Sequence, residues 1–415
     1  IERVANISSD GSGEIPDACV IELGGTVGDI ESAPFVEALR QFQFRVGEDN
    51  ICFVHVSLVP VMGPVGEQKT KPTQHSIKEL QGLGIRPDII VGRSNDMLDE
   101  DIAAKIAFFA DIPREAVISA PDAQSIYDVP LMFLEQGLHE LIEKRLGLKT
   151  KKPDVTKWKD FAKRVSNGGD EVEIALIGKY IELQDSYKSI LESFIHSGAV
   201  NEVRVEVTPI HSEHINKDNI VEKLENFNGV LVAPGFGERG VNGKIEAIKY
   251  VRVNNIPFFG ICLGMQMAVI EFSRNILKLE GANSTEMDLK TKYPVIDIMD
   301  DQKNIINKGG TMRLGSWDCK LKKNSLVSKI YNCDTIHERH RHRYEFNSKY
   351  FKDIEENGMS MTGINSDTDL VEIIELKNHP WFVGVQFHPE YKSTVLSPHP
   401  LFVSFIAAAV KHSNN

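Results

Sequence analysis

The chain has 415 residues, of which 41% are hydrophobic and 26% are charged, a composition that indicates a globular protein and excludes a disordered or fibrous one. At about 150 residues per domain, this length fits two domains. The 47 Lys and Arg residues against 59 Asp and Glu give a net charge of −12, which excludes a general attraction to nucleic acid or an anionic membrane. An anionic ligand would therefore need a local cluster of Lys and Arg.

The five cysteines are widely spaced and form no C-x-x-C pair, so they favour neither a disulfide framework nor a zinc site. A reducing compartment fits this pattern best. The apolar stretches are shorter than the roughly 20 residues of a membrane span. We therefore expect a cytoplasmic protein that binds neither membrane nor nucleic acid. Because the first residue is Ile1 rather than Met, we also expect the natural N-terminus to lie upstream.

Strand-like and helical runs alternate along the first part of the chain. We predict strands at 18–23, 52–59, 88–91 and 116–119, and helices at 33–46, 76–83, 101–109 and 131–146. Such alternation predicts βαβ units and a mostly parallel sheet. The Lys-rich segment 148–170 contains Pro and ends in Gly-Gly, which indicates a linker between a domain at 1–147 and a second one at 171–415.

A second α/β series follows the linker. We predict strands at 172–177, 203–209, 230–232, 370–375 and 381–386, helices at 186–196 and 243–254, and a strand-turn-helix at 258–272. The fold class is therefore α/β, with two domains.

A cysteine lies between two glycines in the segment Gly260-Ile261-Cys262-Leu263-Gly264, after an apolar strand and before a helical run. This is the pattern of a nucleophile elbow, in which glycines allow close backbone approach and the helix N-terminus favours a thiolate. The N–H of Leu263 would point to the place where an oxyanion forms. The alternative is a buried structural cysteine in a tight turn.

A thiolate also needs a base and a group that orients the base. The segment Gln386-Phe387-His388-Pro389-Glu390 follows a strong apolar strand and offers both, because Pro389 makes a bend that projects His388 and Glu390 to one side. The alternative is a turn with a solvated acid. Together with the elbow, this segment favours a Cys-His-Glu triad.

These motifs resemble those of the class I glutamine amidotransferases over residues 172–410. The resemblance implies that Cys262 forms a glutamyl thioester and releases ammonia, with His388 as general base and acid and Glu390 as its orienting partner. It also implies a set of glutamine-binding residues: Gly235, Leu263, Gly264, Met265, Gln266, Glu286 and Arg343.

The segment 232–237 matches the second oxyanion loop of this family. It departs from the usual Pro-Gly-Gly-Phe-Gly in having Ala-Pro-Gly-Phe-Gly. Because Pro234 has no backbone N–H, the oxyanion role rests on Gly235 and Leu263.

Longer segments resemble CTP synthase in particular, and its eukaryotic form most. They extend over almost the whole chain and are highly specific: 21–32 (Ile-Glu-Leu-Gly-Gly-Thr-Val-Gly-Asp-Ile-Glu-Ser), 66–74 (Gly-Glu-Gln-Lys-Thr-Lys-Pro-Thr-Gln), 282–286 (Ala-Asn-Ser-Thr-Glu), 309–315 (Gly-Gly-Thr-Met-Arg-Leu-Gly) and 338–345 (Glu-Arg-His-Arg-His-Arg-Tyr-Glu). The fold implied is a P-loop-type amidoligase (synthetase) domain followed by a class I glutamine amidotransferase domain.

The resemblance also implies nucleotide sites in the first domain. UTP, or CTP as feedback inhibitor, would contact Asp29, Ile30, Glu31, Lys69, Thr70, Lys71, Pro72, Thr73, Gln74 and Lys105. ATP would lie at Asp122 and Ala123. Glu22, expected to end a buried strand beside a Gly-Gly-Thr turn, would hold Mg²⁺ on a phosphate. The alternatives are a turn-capping Glu22 and a solvated basic loop at 69–74.

The Arg-His alternation from Arg339 to Arg343 could be a nucleic-acid patch, but an acidic chain without an aromatic platform disfavours that interpretation. The resemblance instead implies that Arg343 binds the carboxylate of glutamine and that Glu286 binds its ammonium group. Opposite charges in the site suit a zwitterionic amino acid. Arg313 and its loop would lie where the family senses GTP, the allosteric activator.

The expected activity is the ATP-dependent amination of UTP to CTP, with ammonia from glutamine passing through an internal channel, in a homotetramer that can form filaments. No G-x-x-x-x-G-K-[ST] phosphate loop occurs in the chain, so we expect an incomplete synthetase half. The alternatives are a stand-alone glutamine amidotransferase or γ-glutamyl hydrolase, and a non-catalytic structural or regulatory subunit.

Overall fold

A computed structural model describes residues 1–7, 14–63, 66–298 and 312–414. The chain forms two compact units, Ile1–Val155 and Thr156–Asn415, and the division falls inside the segment expected to be a linker. Residues Thr156–Asn167 of that segment form a helix, α7, which belongs to the second unit. Residues 309–311 of one motif named above lie outside the described residues.

The first unit is built on a parallel sheet in the order β1-β4-β5, beside a small antiparallel pair, β2-β3. Its strands are β1 (Val54–Leu58), β2 (Val61–Met62), β3 (Glu67–Gln68), β4 (Ile89–Arg93) and β5 (Val117–Ala120). Its helices, as far as the chain is described, are α1 (Glu2–Ala5), α2 (Ala33–Val46), α3 (Lys71–Gly82), α4 (Glu100–Ala110), α5 (Val129–Glu135) and α6 (Leu138–Leu146). The predicted alternation of strands and helices is thus confirmed.

Two predictions in this unit are wrong. Residues 18–23 form no strand, and Val20 is 96% exposed. An apolar run becomes a strand only where a neighbouring strand accepts its backbone hydrogen bonds, and none of the described residues pairs with this segment. The helix predicted at 131–146 is broken at Gly137, whose φ of 77° is left-handed and ends one helix before the next begins.

The second unit contains helices α7 (Thr156–Asn167), α8 (Lys188–Asn201), α9 (Ile220–Leu224), α10 (Val241–Asn254), α11 (Leu263–Asn275), α12 (Leu326–Tyr331), α13 (Phe351–Glu356) and α14 (Pro400–Ser413). Its strands are β6 (Glu171–Gly178), β7 (Arg204–His211), β8 (Gly229–Val232), β9 (Phe258–Ile261), β10 (Asn283–Ser284), β11 (Pro294–Ile298), β12 (Arg313–Leu321), β13 (Thr335–His342), β14 (Tyr344–Phe346), β15 (Met359–Ile364), β16 (Val371–Leu376) and β17 (Phe382–Val385).

The main sheet of this unit has the order β13-β12-β15-β16-β17-β9-β8-β6-β7. The five strands from β17 to β7 run parallel to one another, and the others are antiparallel to their neighbours. Helix α11 is almost entirely buried against this sheet. The carboxyl ends of β8, β9 and β17 therefore meet at one edge, which is where ligands bind in open α/β sheets. No helix of the described residues combines the length and apolarity needed to cross a membrane.

Candidate active site

The nucleophile elbow forms as predicted. Cys262 lies between β9 and α11 with φ 51° and ψ −102°, an unusual conformation for a residue with a side chain, and its N–H donates to the Val385 carbonyl at 2.7 Å. A Cβ on Gly264 would lie 2.2 Å from the Val232 carbonyl oxygen. The glycine thus allows α11 to start directly over β8, with Cys262 at the tip of the turn and 3% exposed.

His388 and Glu390 are brought to the same edge by a short 3₁₀ turn after β17. His388 Nδ1 and Glu390 Oε1 are 2.7 Å apart, and both side chains are buried. Ring nitrogen Nε2 is buried as well and has no hydrogen-bond partner in the described part of the chain. Burial alone would lower the pKa of His388, but the Glu390 carboxylate and the Cys262 sulfur raise it well above its ordinary value. This arrangement can take a proton from the thiol and return it.

The loop 233–237 follows β8 and rests on two buried lysines that the sequence analysis did not single out. Lys244 Nζ donates to the Ala233 carbonyl at 2.7 Å, and Lys179 Nζ donates to the carbonyls of Phe236 and Gly237. A Cβ on Gly235 would lie 2.9 Å from Lys179 Cε, so glycine is needed above this side chain. Two side-chain cations thus hold the predicted oxyanion loop in place.

Burial lowers the pKa of Lys244 to about 7; the Lys179 cation acts in the same direction, and Cys262 opposes it. Burial also lowers the pKa of Lys179, whereas Glu286 raises it. A lysine buried among carbonyls and another cation is costly to keep charged, so its position beneath the loop indicates a specific structural need.

A narrow pocket opens beside Cys262, lined by Gly235, Phe236, Cys262, Gln266, Glu286, His342, Arg343 and Tyr344. Glu286 is held there by the Gly237 N–H, which donates to Oε1 at 2.7 Å. The pocket thus contains a carboxylate, a guanidinium and the thiol, the groups that the sequence analysis assigned to a glutamine site. Leu263, Gly264 and Met265 are buried in the first turn of α11.

Phe236, His342 and Tyr344 are pocket residues that the sequence analysis missed. A period of two would have revealed His342, since β13 alternates exposed and buried residues and so places the histidines of the Arg-His run inside. His340 Nδ1 lies 3.0 Å from His342 Nε2, and Arg313 donates to Glu372 at 2.6 Å beside them. His340, His342 and Glu372 form a buried cluster of potential metal ligands. Because Arg313 already supplies positive charge beside them, we assign no metal to this cluster. Arg313 itself is buried.

In the first unit, the 69–74 segment starts helix α3. Thr70 and Gln74 hydrogen-bond to each other at 3.0 Å, and Thr73 Oγ1 donates to the Leu58 carbonyl at 3.0 Å. Lys69 pairs with Glu67 at 2.6 Å. These polar side chains therefore hold the loop in place through their own hydrogen bonds and ion pair. Lys71 and Pro72 remain exposed at the start of helix α3.

The other predicted nucleotide residues lie mostly at the surface of this unit. Ile30, Glu31 and Lys105 are exposed. Asp29 Oδ2 accepts a hydrogen bond from the Thr26 N–H. Asp122, next to the half-buried Ala123, bonds Arg93 and Asn95, and the Arg93 hydrogen bond lowers the pKa of its carboxyl group.

The expectation that Glu22 ends a buried strand is wrong, because Glu22 is exposed in a segment without regular structure. A strand would have fixed this carboxylate at the sheet edge, but residues 18–23 have no pairing partner. Among the described residues, no group of three or more potential metal ligands includes Glu22. These residues therefore do not by themselves form a magnesium site.

Comparisons with known proteins cover nearly the whole chain. The family model "CTP synthase N-terminus" matches residues 1–148, and "Glutamine amidotransferase class-I" matches residues 182–408. The chain is 58% identical to a CTP synthase of Christiangramia forsetii over 99% of its own length and 75% of that protein's. It is 57% identical to a CTP synthase of Flavobacterium johnsoniae over 95% of its length and 74% of the relative's. Both relatives are bacterial, and the matches do not test the expected closeness to the eukaryotic form.

A solved structure resembles the second unit. The glutaminase domain of Trypanosoma brucei CTPS with bound acivicin is 40% identical, with a TM-score of 0.55, and the match covers 58% of this chain and 94% of that one. The fold around the Cys262 elbow is therefore shared with a glutaminase domain.

Proposed function

Since the chain belongs to the CTP synthase family, ligases that form C–N bonds, we propose that Cys262, His388 and Glu390 hydrolyse glutamine to supply the ammonia that converts UTP to CTP. The observation that carries this proposal is the geometry at the elbow. A buried cysteine lies at a helix N-terminus beside a histidine that is bonded to Glu390 through Nδ1 and has Nε2 available.

The chemistry follows from these positions. His388 Nε2 takes the thiol proton, and Sγ attacks the side-chain amide carbon of glutamine, so that a C–S bond forms and the carbonyl oxygen becomes an oxyanion. The N–H groups of Leu263 and Gly235 stabilise that oxyanion. When the C–N bond breaks, His388 gives its proton to the leaving ammonia. Water then attacks the thioester with His388 as base, and glutamate leaves as the thiol is restored.

Glu286 and Arg343 would bind the ammonium and carboxylate of the same glutamine. Opposite charges on two sides of a narrow pocket select a zwitterionic amino acid and place its amide at Cys262. Gln266 lines the same pocket and fixes its wall rather than offering both ends of its amide to a ligand, since its Nε2 bonds the Tyr344 carbonyl and Gln386.

The family generally uses ATP, Mg²⁺ and GTP. We propose that UTP or CTP contacts the 29–31 and 69–74 segments and Lys105, and that ATP contacts Asp122 and Ala123. The support is the match of these segments to the family together with the exposed Lys71 and Lys105. No step is assigned to a metal at Glu22.

We also propose a cytoplasmic homotetramer that can form filaments, as the resemblance to the family implies. Ile30 and Phe108 are each 90% exposed in the first unit, which supports burial of these apolar side chains in an assembly. The free thiol that the proposed reaction needs at Cys262 supports a reducing compartment.

Glutamine hydrolysis by the wild-type chain and by Cys262→Ala tests the proposal. We expect the substitution to lower hydrolysis by at least about 10³-fold, because Cys262 supplies the thiol that lines the pocket. CTP formation from UTP and ATP is followed in parallel, with glutamine or free ammonia as nitrogen source. The loss in Cys262→Ala should be confined to the glutamine-dependent reaction.

Cys333→Ala is the matched control, since Cys333 is an exposed cysteine of the same unit and should leave hydrolysis unchanged. Hydrolysis that survives Cys262→Ala would overturn the proposed nucleophile. Hydrolysis without CTP from either nitrogen source would indicate an intact amidotransferase on an incomplete synthetase half, and a chain with neither activity would favour a structural subunit.

A further inference from the structure

A chain of buried hydrogen bonds ends at the sulfur of Cys262. Gln386 Nε2 lies 3.6 Å from Cys262 Sγ, within the range of an N–H···S hydrogen bond. Gln386 Oε1 accepts from Gln266 Nε2 at 3.1 Å, and the same Nε2 donates to the Tyr344 carbonyl at 2.8 Å. Gln386 and Gln266 are 1% and 3% exposed, so water cannot replace these contacts.

The donors and acceptors in this chain can point only one way. The Tyr344 carbonyl can only accept, so Gln266 must turn its NH₂ group toward it. That NH₂ group also faces Gln386, which must therefore present its side-chain carbonyl oxygen as the acceptor. The remaining end of the Gln386 amide is its NH₂ group, and this end faces the sulfur. Flipping Gln266 would set its oxygen against the Tyr344 and Gln386 oxygens, and flipping Gln386 would set two NH₂ groups against each other in a buried site.

The backbone holds Gln386 at this point. Its N–H donates to the Glu372 carbonyl at 2.8 Å, directly after β17 and two residues before His388. On its other side the sulfur faces the Arg341 carbonyl at 3.9 Å, an acceptor that suits the neutral thiol but not the thiolate. A donor is therefore needed when the thiol loses its proton.

We propose that Gln386 is a catalytic residue of the glutaminase reaction, whose side-chain amide donates a hydrogen bond to the Cys262 thiolate, and that Gln266 orients this amide. The inference rests on the proposed function. It adds a sulfur-directed donor to the oxyanion donors Leu263 and Gly235, which face the substrate oxygen instead. Hydrogen bonds to ionised groups are about twice as strong as neutral ones, so this contact favours the thiolate over the thiol.

Other titratable groups lie around this site. His388 lies on the same turn as Gln386, paired with Glu390, and Lys244 of α10 interacts with Cys262 through its charge. On the β13 side, burial lowers the pKa of His340 and His342, which keeps both rings neutral. None of these groups changes when Gln386 is replaced by a side chain of similar shape.

Alkylation of Cys262 by iodoacetamide measures this effect directly. The rate is followed from pH 5 to 10 by mass spectrometry of the peptide that contains Cys262, because Cys19 and Cys333 are exposed and react as well. In Gln386→Met, which keeps the shape but lacks the donor, we expect the midpoint of the pH dependence to move up by about one pH unit and kcat/KM for glutamine to fall about tenfold. Gln386→Glu should move the midpoint further, because it places a carboxylate beside the sulfur.

Two further variants separate donation from a structural role. Gln136→Met removes a partly buried amide of the first unit and should leave both the alkylation profile and hydrolysis unchanged. Gln266→Leu removes the donor that fixes the Gln386 amide, so the amide can rotate. The midpoint of the pH dependence of alkylation should then move in the same direction as in Gln386→Met. This readout does not depend on glutamine binding.

Folded Gln386→Met and Gln386→Glu proteins that are alkylated with the wild-type midpoint would overturn the proposal, even if their turnover were low. That outcome would leave the proposed function intact as long as Cys262→Ala abolishes hydrolysis. Conversely, a shifted midpoint with hydrolysis surviving in Cys262→Ala would overturn the proposed function and retain the hydrogen bond.

Discussion

In the proposed reaction, His388 can act as acid and base only because its ring keeps a proton despite the free-energy cost of burying a charged group. Desolvation favours the neutral ring, and Glu390 at 2.7 Å reverses this preference. The same carboxylate fixes the tautomer, since a proton on Nδ1 leaves Nε2 to face the thiol. The proposed catalytic cycle therefore depends on one buried carboxylate.

Glu390→Gln should lower kcat/KM for glutamine by about 10²-fold or more. Glu390 raises the pKa of His388, so its removal lowers that pKa, and the ring loses the proton it needs to give to ammonia at a lower pH. We therefore expect the alkaline limb of the pH profile of kcat/KM to move to lower pH, which steady-state assays from pH 6 to 10 would detect.

Asp318→Asn is the matched control for this prediction. Asp318 and His337 form a second carboxylate-histidine pair, 2.6 Å apart, but both side chains are exposed. Loss of the Asp318 carboxylate should leave the pH profile of kcat/KM unchanged. An alkaline limb that stays fixed in Glu390→Gln would contradict the role given to Glu390.

The elbow depends on how closely α11 approaches the sheet. Gly260 and Gly264 permit this approach: a Cβ on Gly260 would lie 2.8 Å from the Gly264 carbonyl carbon. The helix is then buried along almost its whole length, from Leu263 to Ser273. The strained backbone of Cys262 is held by this packing and by the hydrogen bond to Val385.

Gly264→Ala should destabilise the second unit by about 1–3 kcal/mol and abolish glutamine hydrolysis, because the new methyl group meets the rigid Val232 carbonyl at 2.2 Å. Thermal unfolding and the glutaminase assay measure the two effects. Gly82→Ala, at the end of α3, is the control, since a Cβ there meets nothing within 4 Å. A Gly264→Ala protein with wild-type stability and activity would show that the elbow tolerates a larger distance between α11 and β8.

The two units each have their own hydrophobic core. Two large clusters, around Val230 and Phe259, lie within the second unit, and smaller ones around Ile90 and Val91 lie within the first. All residues of the glutamine pocket and the triad also lie between Thr156 and Asn415. The described residues of the proposed hydrolytic site therefore all belong to the second unit.

We therefore expect the fragment 156–415 to fold alone and to hydrolyse glutamine, with the activity abolished by Cys262→Ala. Its cooperative unfolding by circular dichroism and its glutaminase rate, relative to the full chain, are the measurements. A folded but inactive fragment would show that hydrolysis depends on the first unit. An insoluble fragment beside a well-behaved full chain would contradict the independence of its core.

Local sequence patterns were sufficient for most of the elements and for the residues proposed to react. The helix at 33–46 has the predicted bounds, and the elbow and the His-Pro-Glu turn hold Cys262, His388 and Glu390 as expected. These features are encoded by contiguous residues: hydrophobic spacing sets helices and strands, and glycine or proline at fixed offsets sets the turns. The alternation of strands with helices likewise determined the α/β class.

Only the tertiary structure decided which distant residues meet. The strand predicted at 18–23 did not form, because an apolar run says nothing about whether a partner strand is present. Lys179, Lys244 and Gln386 come from separate elements and have no local motif, and their roles appear only where β6, α10 and β17 approach the elbow. Sequence by itself determined the groups that we propose to react; long-range packing decided the buried donors and charges around them, because burial and hydrogen-bond partners depend on contacts between residues far apart in the chain.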